Sequence, residues 1–186
     1  ASDVYKRQVP KIMAIASQGS SLYIYEISPE MIQGKKGTIC SGYWELTPET
    51  GLVEGKLPVA TSAYFDRMFY YAVGNKIYRA DLTRSTPRSY EIYAHPDPSV
   101  RITRLKFRSQ REDRWDISGG DEVEAIPYDF VSYLGGVAEY PDGNCSMLEM
   151  KLTAAGEIDK EEGTKDLMVY EFKGFKNVVD FVYAFK

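Results

Sequence analysis

Three hairpins of similar form recur along this chain and limit the folds that it can adopt. Glycine-containing turns at residues 18–20, 74–75 and 141–144 each join two segments in which apolar and polar residues alternate. Loops of this composition are typical of β-hairpins, because glycine and asparagine accept a positive φ. The segments that follow the turns also align with one another, namely residues 22–27, 77–82 and 147–152.

Alternation predicts strands along most of the chain, whereas no helical period is sustained. The predicted strands are residues 11–17, 22–27, 68–73, 76–82, 90–94, 102–107, 131–140, 147–152, 167–172 and 178–185. The repeat extends beyond the hairpins, since residues 90–93 match 169–172 and residues 102–107 match 178–183. The repeating unit is therefore about four strands long, which is typical of a β-propeller blade.

The sequence thus predicts an all-β protein that contains an incomplete β-propeller-like array of four-stranded antiparallel blades. One such sheet cannot cover both of its faces, so each blade needs a neighbour. We expect blades, or parts of them, at residues 11–27, 59–94 and 102–172. The last predicted strand, residues 178–185, would begin another blade and join strands from the front of the ring. A β-sandwich remains the alternative fold, because the strand count permits it as well.

The first eight residues, ASDVYKRQ, fit nothing that follows them. Codons for residues 3–8 can spell a string that resembles the transposon end used in DNA sequencing, so we interpret residues 1–8 as a non-native scar. An ordinary disordered N-terminus is the alternative. If residues 1–8 are a scar, residues 9–186 are a partial domain whose preceding part is missing. Its unpaired strand edges would then favour aggregation or oligomers.

Charge and hydropathy argue against two classes of partner. The formal net charge is −4, and Lys and Arg are scattered rather than gathered into a stripe that could follow phosphates. We therefore expect no nucleic-acid partner. No apolar run approaches the roughly 20 residues that a membrane-spanning helix needs, so we expect no membrane insertion by this segment.

Few side chains offer catalytic or metal-binding chemistry. The single histidine, His95, lies in a proline-rich turn, and a Ser-His-Asp group would depend on it alone. Cys40 and Cys145 fit no zinc or redox spacing. An acidic loop could in principle bind Ca²⁺, but it lacks the EF-hand spacing, and a solvated loop explains it as well. Its carboxylates are Asp116, Asp121, Glu122 and Glu124. We expect no catalytic residue, no metal site and no cofactor.

Aromatic residues in two insertions are the candidate ligand-binding residues: Tyr43, Trp44 and Trp115. Tyrosine and tryptophan rings stack well on the apolar faces of sugars or on other rings. Loops that project from a rigid array often carry function. The alternative is that each tryptophan packs its own loop onto the sheet beneath it.

Four segments resemble the C-terminal half of the PKD-like family lipoproteins of Bacteroidota: MFYYAVGNKIYRADL, RITRLKF, VAEYPDGN and YEFKGFKNVVDFVYAFK. The likeness covers most of residues 59–186, and its most specific pieces are GNKIYRADL and KGFKNVVDFVY. The resemblance implies a lipid anchor upstream, small PKD-like β-domains and a propeller-like region. It also implies a place in the cell envelope, at the outer-membrane surface.

The expected function follows from the repeat, the aromatic insertions and the resemblance. We expect a non-catalytic fragment of a cell-envelope lipoprotein whose propeller-like domain binds a glycan or another surface protein. Two alternatives stay open. One is a carbohydrate-active enzyme, a glycoside hydrolase or lyase, that uses paired carboxylates. The other is a purely structural surface module.

Overall fold

The computed structural model describes residues 12–18, 21–27, 40–46, 59–65, 67–84, 87–112, 115–116, 124–125 and 129–184. These residues form β-strands, turns and segments without regular secondary structure, and no helix occurs among them. The all-β class predicted from the alternation is therefore confirmed. No helix long and apolar enough to cross a membrane is found in the described ranges.

The strands of the described residues are numbered in chain order. They are β1 Ile12–Gln18, β2 Ser21–Ile27, β3 Cys40–Leu46, β4 Val59–Phe65, β5 Met68–Val73, β6 Lys76–Asp81, β7 Ser89–Ala94, β8 Arg101–Glu112, β9 Trp115–Asp116, β10 Glu124–Ala125, β11 Asp129–Glu139, β12 Asn144–Leu152 and β13 Val169–Lys176.

Neighbouring strands pair antiparallel into three sheets and one short ribbon. The first sheet has the order β1-β2-β3, the second β4-β5-β6-β7, and the third β8-β11-β12-β13. The ribbon β9-β10 lies in the connection between β8 and β11. The second and third sheets thus each place four strands side by side in the order in which the chain makes them.

The three aligned segments occupy strands β2, β6 and β12, each directly after a hairpin. In the second and third sheets this strand is the third of four, and β4 and β8 are the respective first strands. In the first sheet it is the second of three. Among the described strands, the first sheet therefore has no equivalent of β4 or β8.

Glycine fixes two of the hairpins at the positions that the sequence indicated. Gly74 has a φ of 58° in the two-residue turn between β5 and β6. Gly143 has a φ of 83° and its N–H donates to the carbonyl of Tyr140 at 3.0 Å. The N–H of Tyr140 in turn donates to the carbonyl of Asn144 at 2.8 Å. A side chain with a Cβ is strained in this left-handed region, so glycine suits both turns.

The chain divides into two compact units. The first is Ala1–Pro58 with Ala80–Tyr90, and the second is Val59–Arg79 with Glu91–Lys186. In the first unit, Leu22, Ile24 and Leu46 are fully buried. In the second unit, strands of the second and third sheets share one apolar cluster: Tyr70, Ala72, Ile77, Val100, Ile102, Leu105, Leu134, Ala138, Leu148, Met150, Leu152 and Ile158.

Burial distinguishes a sheet covered on both faces from one covered on a single face. Four consecutive residues of β5, 69–72, are buried, so the second sheet is covered on both sides. On β12 the buried residues alternate instead, and Leu148, Met150 and Leu152 point into the shared cluster. The residues between them lie on the opposite face of the third sheet and are only partly buried. The two sheets approach each other most closely where β8 meets β4 and β5.

The predicted final strand at residues 178–185 is not observed. Residues 178–184, which we call the C-terminal segment, have no regular secondary structure and pair with no described strand. The rings of Phe181 and Tyr183 lie over Gly135 on the outer face of the third sheet. A sheet face offers side chains rather than backbone N–H and C=O groups, so a segment placed there forms no ladder. The strand prediction failed because it assumed a partner strand alongside.

Candidate functional site

Tyr43 and Trp44 lie on β3 rather than in a loop insertion, which corrects the expected placement. Tyr43 stands opposite Tyr25 and Trp44 stands opposite Ile24 in the ladder between β2 and β3. Leu46 is fully buried and Trp44 is half-buried, while Glu45 between them is exposed. This is the alternation of a strand with one covered face. Trp44 is therefore part of the packing of the first sheet.

Trp115 lies on the two-residue strand β9, opposite Ala125 on β10. The same ribbon pairs Asp116 with Glu124, so two of the four predicted acidic residues stand side by side in the ladder. The other two, Asp121 and Glu122, lie outside the described residues. The ribbon belongs to the second unit, whereas Tyr43 and Trp44 belong to the first.

No group of three or more His, Cys, Asp or Glu side chains that could hold a metal ion occurs in the part of the chain that the structure describes. Cys145 is a free, buried thiol whose Sγ lies 3.7 Å from the carbonyl oxygen of Gly143. It packs as a small apolar residue, which is the common role of a buried cysteine.

His95 sits in a buried polar cluster at the corner between β7 and β8. Its side chain is 4% exposed. The backbone N–H of Asp97 donates to its Nδ1 at 3.1 Å, so the neutral ring carries its proton on Nε2. Nε2 lies 3.6 Å from Oε1 of Glu171 and makes no hydrogen bond of ordinary length. The rings of Tyr93 and Tyr140 meet the imidazole edge-on, with centroids 6.4 and 5.9 Å away.

The electrostatics of this cluster centre on Glu171. Burial raises its pKa, but the hydroxyls of Ser146 and Tyr140, the positive charge of Lys173 and the neighbouring His95 together outweigh burial and leave the pKa below its ordinary value. The Tyr140 hydroxyl donates to Glu171 Oε1 at 2.9 Å. Burial, assisted by the negative charge of Glu171, raises the pKa of Tyr93 to about 12. The carboxylate is thus held ionised beside a tyrosine that stays protonated.

The geometry of this cluster suits a structural role better than catalysis. A general base must reach the proton that it removes, at roughly 2.6–3.2 Å. Among the described residues no hydroxyl or thiol hydrogen-bonds to His95, and Ser146 is 1% exposed. The backbone N–H of His95 also donates to the carbonyl of Asn75 at 2.8 Å. The cluster therefore packs the corner after β7 against Tyr140, which directly follows β11, and against Glu171 on β13.

Exposed large apolar side chains concentrate near the end of the described chain. We call five of them the C-terminal apolar surface: Tyr170 (44% exposed), Phe172 (54%), Phe175 (43%), Val179 (77%) and Val182 (77%). The first three lie on β13, an edge strand that pairs with β12 alone among the described strands. Exposed apolar side chains on an edge strand and on the segment that follows it commonly mark an interaction site.

A bulge arranges the aromatic side chains of β13 on one face. Phe172 stands opposite Met147, and Phe175 stands opposite Cys145. Because residues 145 and 147 of β12 point to the same face, Phe172 and Phe175 share that face despite being three positions apart. The extra residue is Gly174, whose φ is 105°. Without this glycine, Phe175 would point into the opposite face of the sheet.

The C-terminal segment is attached to the same face by charge and by ring contacts. Asp180 lies 3.2 Å from Nζ of Lys106 and 3.8 Å from Nε of Arg104. Nζ of Lys106 also lies 5.8 Å from the ring centre of Phe181, and the Arg108 guanidinium lies 5.4 Å from that of Tyr183. Exposed ion pairs contribute little individually, so the packing of the two rings over Gly135 is the stronger attachment.

The sequence interpretation missed this surface because it sought aromatic residues in loops. A usable signal was present in YEFKGFK, where aromatic residues alternate with charged ones on a predicted strand. One face of such a strand must be apolar, and alternation alone does not specify a neighbour that covers this face. Comparison with models of protein families, with curated proteins and with solved structures found no match to this chain.

Proposed function

We propose that this chain is a non-catalytic binding module of the cell envelope, and that the C-terminal apolar surface is its docking site for another surface protein. The observation that carries the proposal is the concentration of exposed apolar side chains on β13 and the C-terminal segment. The resemblance to PKD-like family lipoproteins supports a lipid anchor upstream and an outer-membrane location.

The architecture that we propose for this module is propeller-like. Two features support it over a β-sandwich. The second and third sheets are successive four-stranded meanders of the same order, and they come closest at β8, β4 and β5, as blades that fan out from their first strands would. The second sheet is also covered on both faces, which a two-layer sandwich does not require.

Photo-crosslinking on intact cells tests the docking site. A photoreactive residue in place of Phe172 is expected to form one defined adduct with an envelope protein. The matched control is Tyr90, which has similar exposure and lies on β7. The same adduct from both positions, or none from Phe172 when the protein is at the cell surface, would contradict the proposal. Surface proteolysis and fractionation of the full-length protein test its location.

A glycan ligand is the second candidate, and the half-buried ring of Trp44 on β3 is the observation that favours it. A tryptophan ring that is partly exposed on the face of a sheet can stack on a sugar. A glycan panel followed by Trp fluorescence would test this idea. We expect a response that Trp44→Ala or Trp115→Ala abolishes; a flat titration in all three proteins would rule out this binding mode.

A further inference from the structure

The neutral form of His95 holds the loop that follows it through one hydrogen bond. The backbone N–H of Asp97 donates to Nδ1 at 3.1 Å, and this bond requires that Nδ1 carries no proton. The other ring nitrogen, Nε2, faces Oε1 of Glu171 across 3.6 Å. A neutral imidazole binds an added proton only at the nitrogen that lacks one. Protonation of His95 must therefore occur at Nδ1, and it removes the acceptor of the Asp97 N–H.

The groups packed around the imidazole allow it to carry a charge, although its side chain is only 4% exposed. Glu171 on β13 supplies a carboxylate beside Nε2, and Nζ of Lys173 lies 3.9 Å from the other oxygen of that carboxylate. Burial raises the pKa values of Tyr93 from β7 and Tyr140 after β11, so both rings are uncharged near pH 7. An opposite charge within about 4–6 Å favours the charged form of a buried group, and Glu171 provides it here.

Backbone and amide hydrogen bonds fix the loop at both of its ends without using the imidazole. The N–H of His95 donates to the carbonyl of Asn75 at 2.8 Å, and the Asn75 side chain donates to the His95 carbonyl at 2.9 Å. On the other side of the loop, the N–H of Ile102 donates to the carbonyl of Gly74 at 2.8 Å. Residues 96–99 between these ends are exposed or partly exposed. They can therefore rearrange while the sheets stay in place.

The carboxylate of Asp97 is the acceptor that the loop itself offers to a protonated Nδ1. Its Oδ1 accepts from the N–H and the hydroxyl of Ser99, at 2.9 and 2.7 Å. These two bonds lower the pKa of Asp97, and the neighbouring His95 lowers it further, so the carboxylate is ionised near pH 7. A hydrogen bond between charged groups is roughly twice as strong as one between neutral groups. A protonated His95 thus competes with Ser99 for this carboxylate.

We propose that residues 96–99 form a pH-sensitive loop, in which protonation of His95 at Nδ1 releases the Asp97 N–H and the Asp97 carboxylate turns from Ser99 to Nδ1. The proton comes from the solvent and returns to it as pH rises. His95 is the only histidine of the chain, and histidine is the side chain that ordinarily changes its charge between about pH 5 and 8. A local transition in this range is therefore expected in this loop. The inference does not depend on the docking site proposed above.

Amide and imidazole resonances of the full chain, followed by NMR between about pH 8 and pH 5, test the proposal. At the upper limit we expect a neutral imidazole with its proton on Nε2. As pH falls, the amides of Asp97 and Ser99 are expected to shift with the same midpoint as the imidazole, and the Asp97 amide should lose its protection from exchange.

Thr83 is the matched control for these shifts. Its N–H and hydroxyl bind Oδ1 of Asp81 at 2.9 and 2.6 Å, as those of Ser99 bind Asp97, in a turn that contains no histidine. The Thr83 amide is expected to keep its position throughout. Glu171 stays ionised over the whole range, because its pKa lies below its ordinary value of 4.5.

Two substitutions separate the steps. Asp97→Asn keeps an oxygen for Ser99 and a backbone N–H for Nδ1 but removes the charge, so the midpoint of the imidazole titration is expected to shift to lower pH. His95→Asn supplies an oxygen as acceptor near the position of Nδ1 but does not titrate. In this variant the amides of Asp97 and Ser99 are expected to stay unchanged as pH falls.

Several results would overturn the proposal. They are a proton on Nδ1 at the upper pH limit, an imidazole that stays neutral throughout, and an imidazole that titrates while the amides of Asp97 and Ser99 keep their positions. An equal shift of Thr83 would show a change of the whole chain instead of this loop. Equal midpoints in Asp97→Asn and the unsubstituted protein would contradict the exchange of acceptors. If His95→Asn does not fold, the Asp97→Asn comparison decides alone, because residue 97 lies in a surface loop.

Discussion

At the scale of single residues, Gly135 decides whether the C-terminal segment can lie on the third sheet. A Cβ at this position would meet the Tyr183 hydroxyl and would come within 3.0 Å of the Phe181 ring. Real Cβ atoms do not tolerate such contacts, and the atoms that must move belong to the segment rather than to the sheet. Gly135→Ala is therefore expected to release residues 178–184, measured as faster amide exchange there, with little change in the unfolding midpoint.

Gly136 provides the matched control for that substitution. Its Cβ would meet the Arg104 carbonyl at 3.4 Å and the Leu105 side chain at 3.5 Å, which are ordinary van der Waals contacts. Gly136→Ala is expected to leave exchange in the C-terminal segment unchanged. If both substitutions speed that exchange equally, contact with Tyr183 is not what holds the segment.

Glu171 makes the stability that the cluster around His95 contributes depend on pH in the acid range. Its folded-state pKa lies below the ordinary value of 4.5, so its contribution to stability is present above that value and is lost as pH falls through the folded pKa. The unfolding midpoint is expected to fall less steeply below pH 4.5 in Glu171→Gln than in the unsubstituted protein. Denaturant titrations across this range would measure it, with exposed Glu162→Gln as the control. Equal slopes in all three proteins would exclude this role of Glu171.

At the scale of elements, alternation located most of the described strands but not their partners. The hairpins at residues 74–75 and 141–144 were predictable because each turn needs a positive φ, which Gly74 and Gly143 adopt without strain. β3 was missed because its strand pattern, GYWEL, was interpreted as a loop that carries aromatic residues. Residues 178–184 alternate as well as β8 does, yet alternation does not specify whether a partner strand lies alongside.

The candidate site was less predictable than the strands, for a related reason. The exposure of Phe172 depends on β13 being an edge strand, and the common face of Phe172 and Phe175 depends on the bulge at Gly174. Both depend on how β13 pairs with other strands, and the sequence of a single strand does not determine its partners. The burial of His95 likewise depends on Tyr140 and Glu171, which are distant from it in sequence.

Removal of the C-terminal segment tests whether it is attached to the surface of the third sheet or is part of the core. A chain that ends after Asn177 keeps the whole cluster shared by the second and third sheets, because none of its members lies beyond Ile158. It is expected to unfold cooperatively with a slightly lower midpoint and to bind more of a hydrophobic dye, since the outer face of the third sheet is uncovered. Loss of cooperative unfolding would show that the segment completes the core.

At the scale of the whole molecule, buried tyrosines make the free energy of unfolding depend on pH in the alkaline range. Tyr70 on β5 donates a hydrogen bond to the carbonyl of Gly156, in the connection that follows β12, at 2.8 Å. Burial raises the pKa of Tyr70 to about 12, although the positive charge of Arg79 opposes it. Burial also raises the pKa values of Tyr93 and Tyr183 to about 12. Three tyrosines in the second unit thus remain protonated in the folded protein at pH values where an unfolded chain begins to ionise.

The sign of the resulting pH dependence is fixed by these shifts. A pKa raised on folding contributes stability that is complete below pH 10 and is lost as pH rises to about 12. For Tyr70 alone the loss is roughly 2–3 kcal/mol, from about 1.4 kcal/mol for each unit of pKa. We expect urea unfolding to show a steep fall in stability from pH 10 to 12. Tyr70→Phe should lower stability by about 1 kcal/mol at pH 8, because the Gly156 carbonyl loses its donor, and should also flatten the fall. Tyr170→Phe, on an exposed ring, should change neither quantity, and a fall as steep in Tyr70→Phe as in the unsubstituted protein would contradict the assignment.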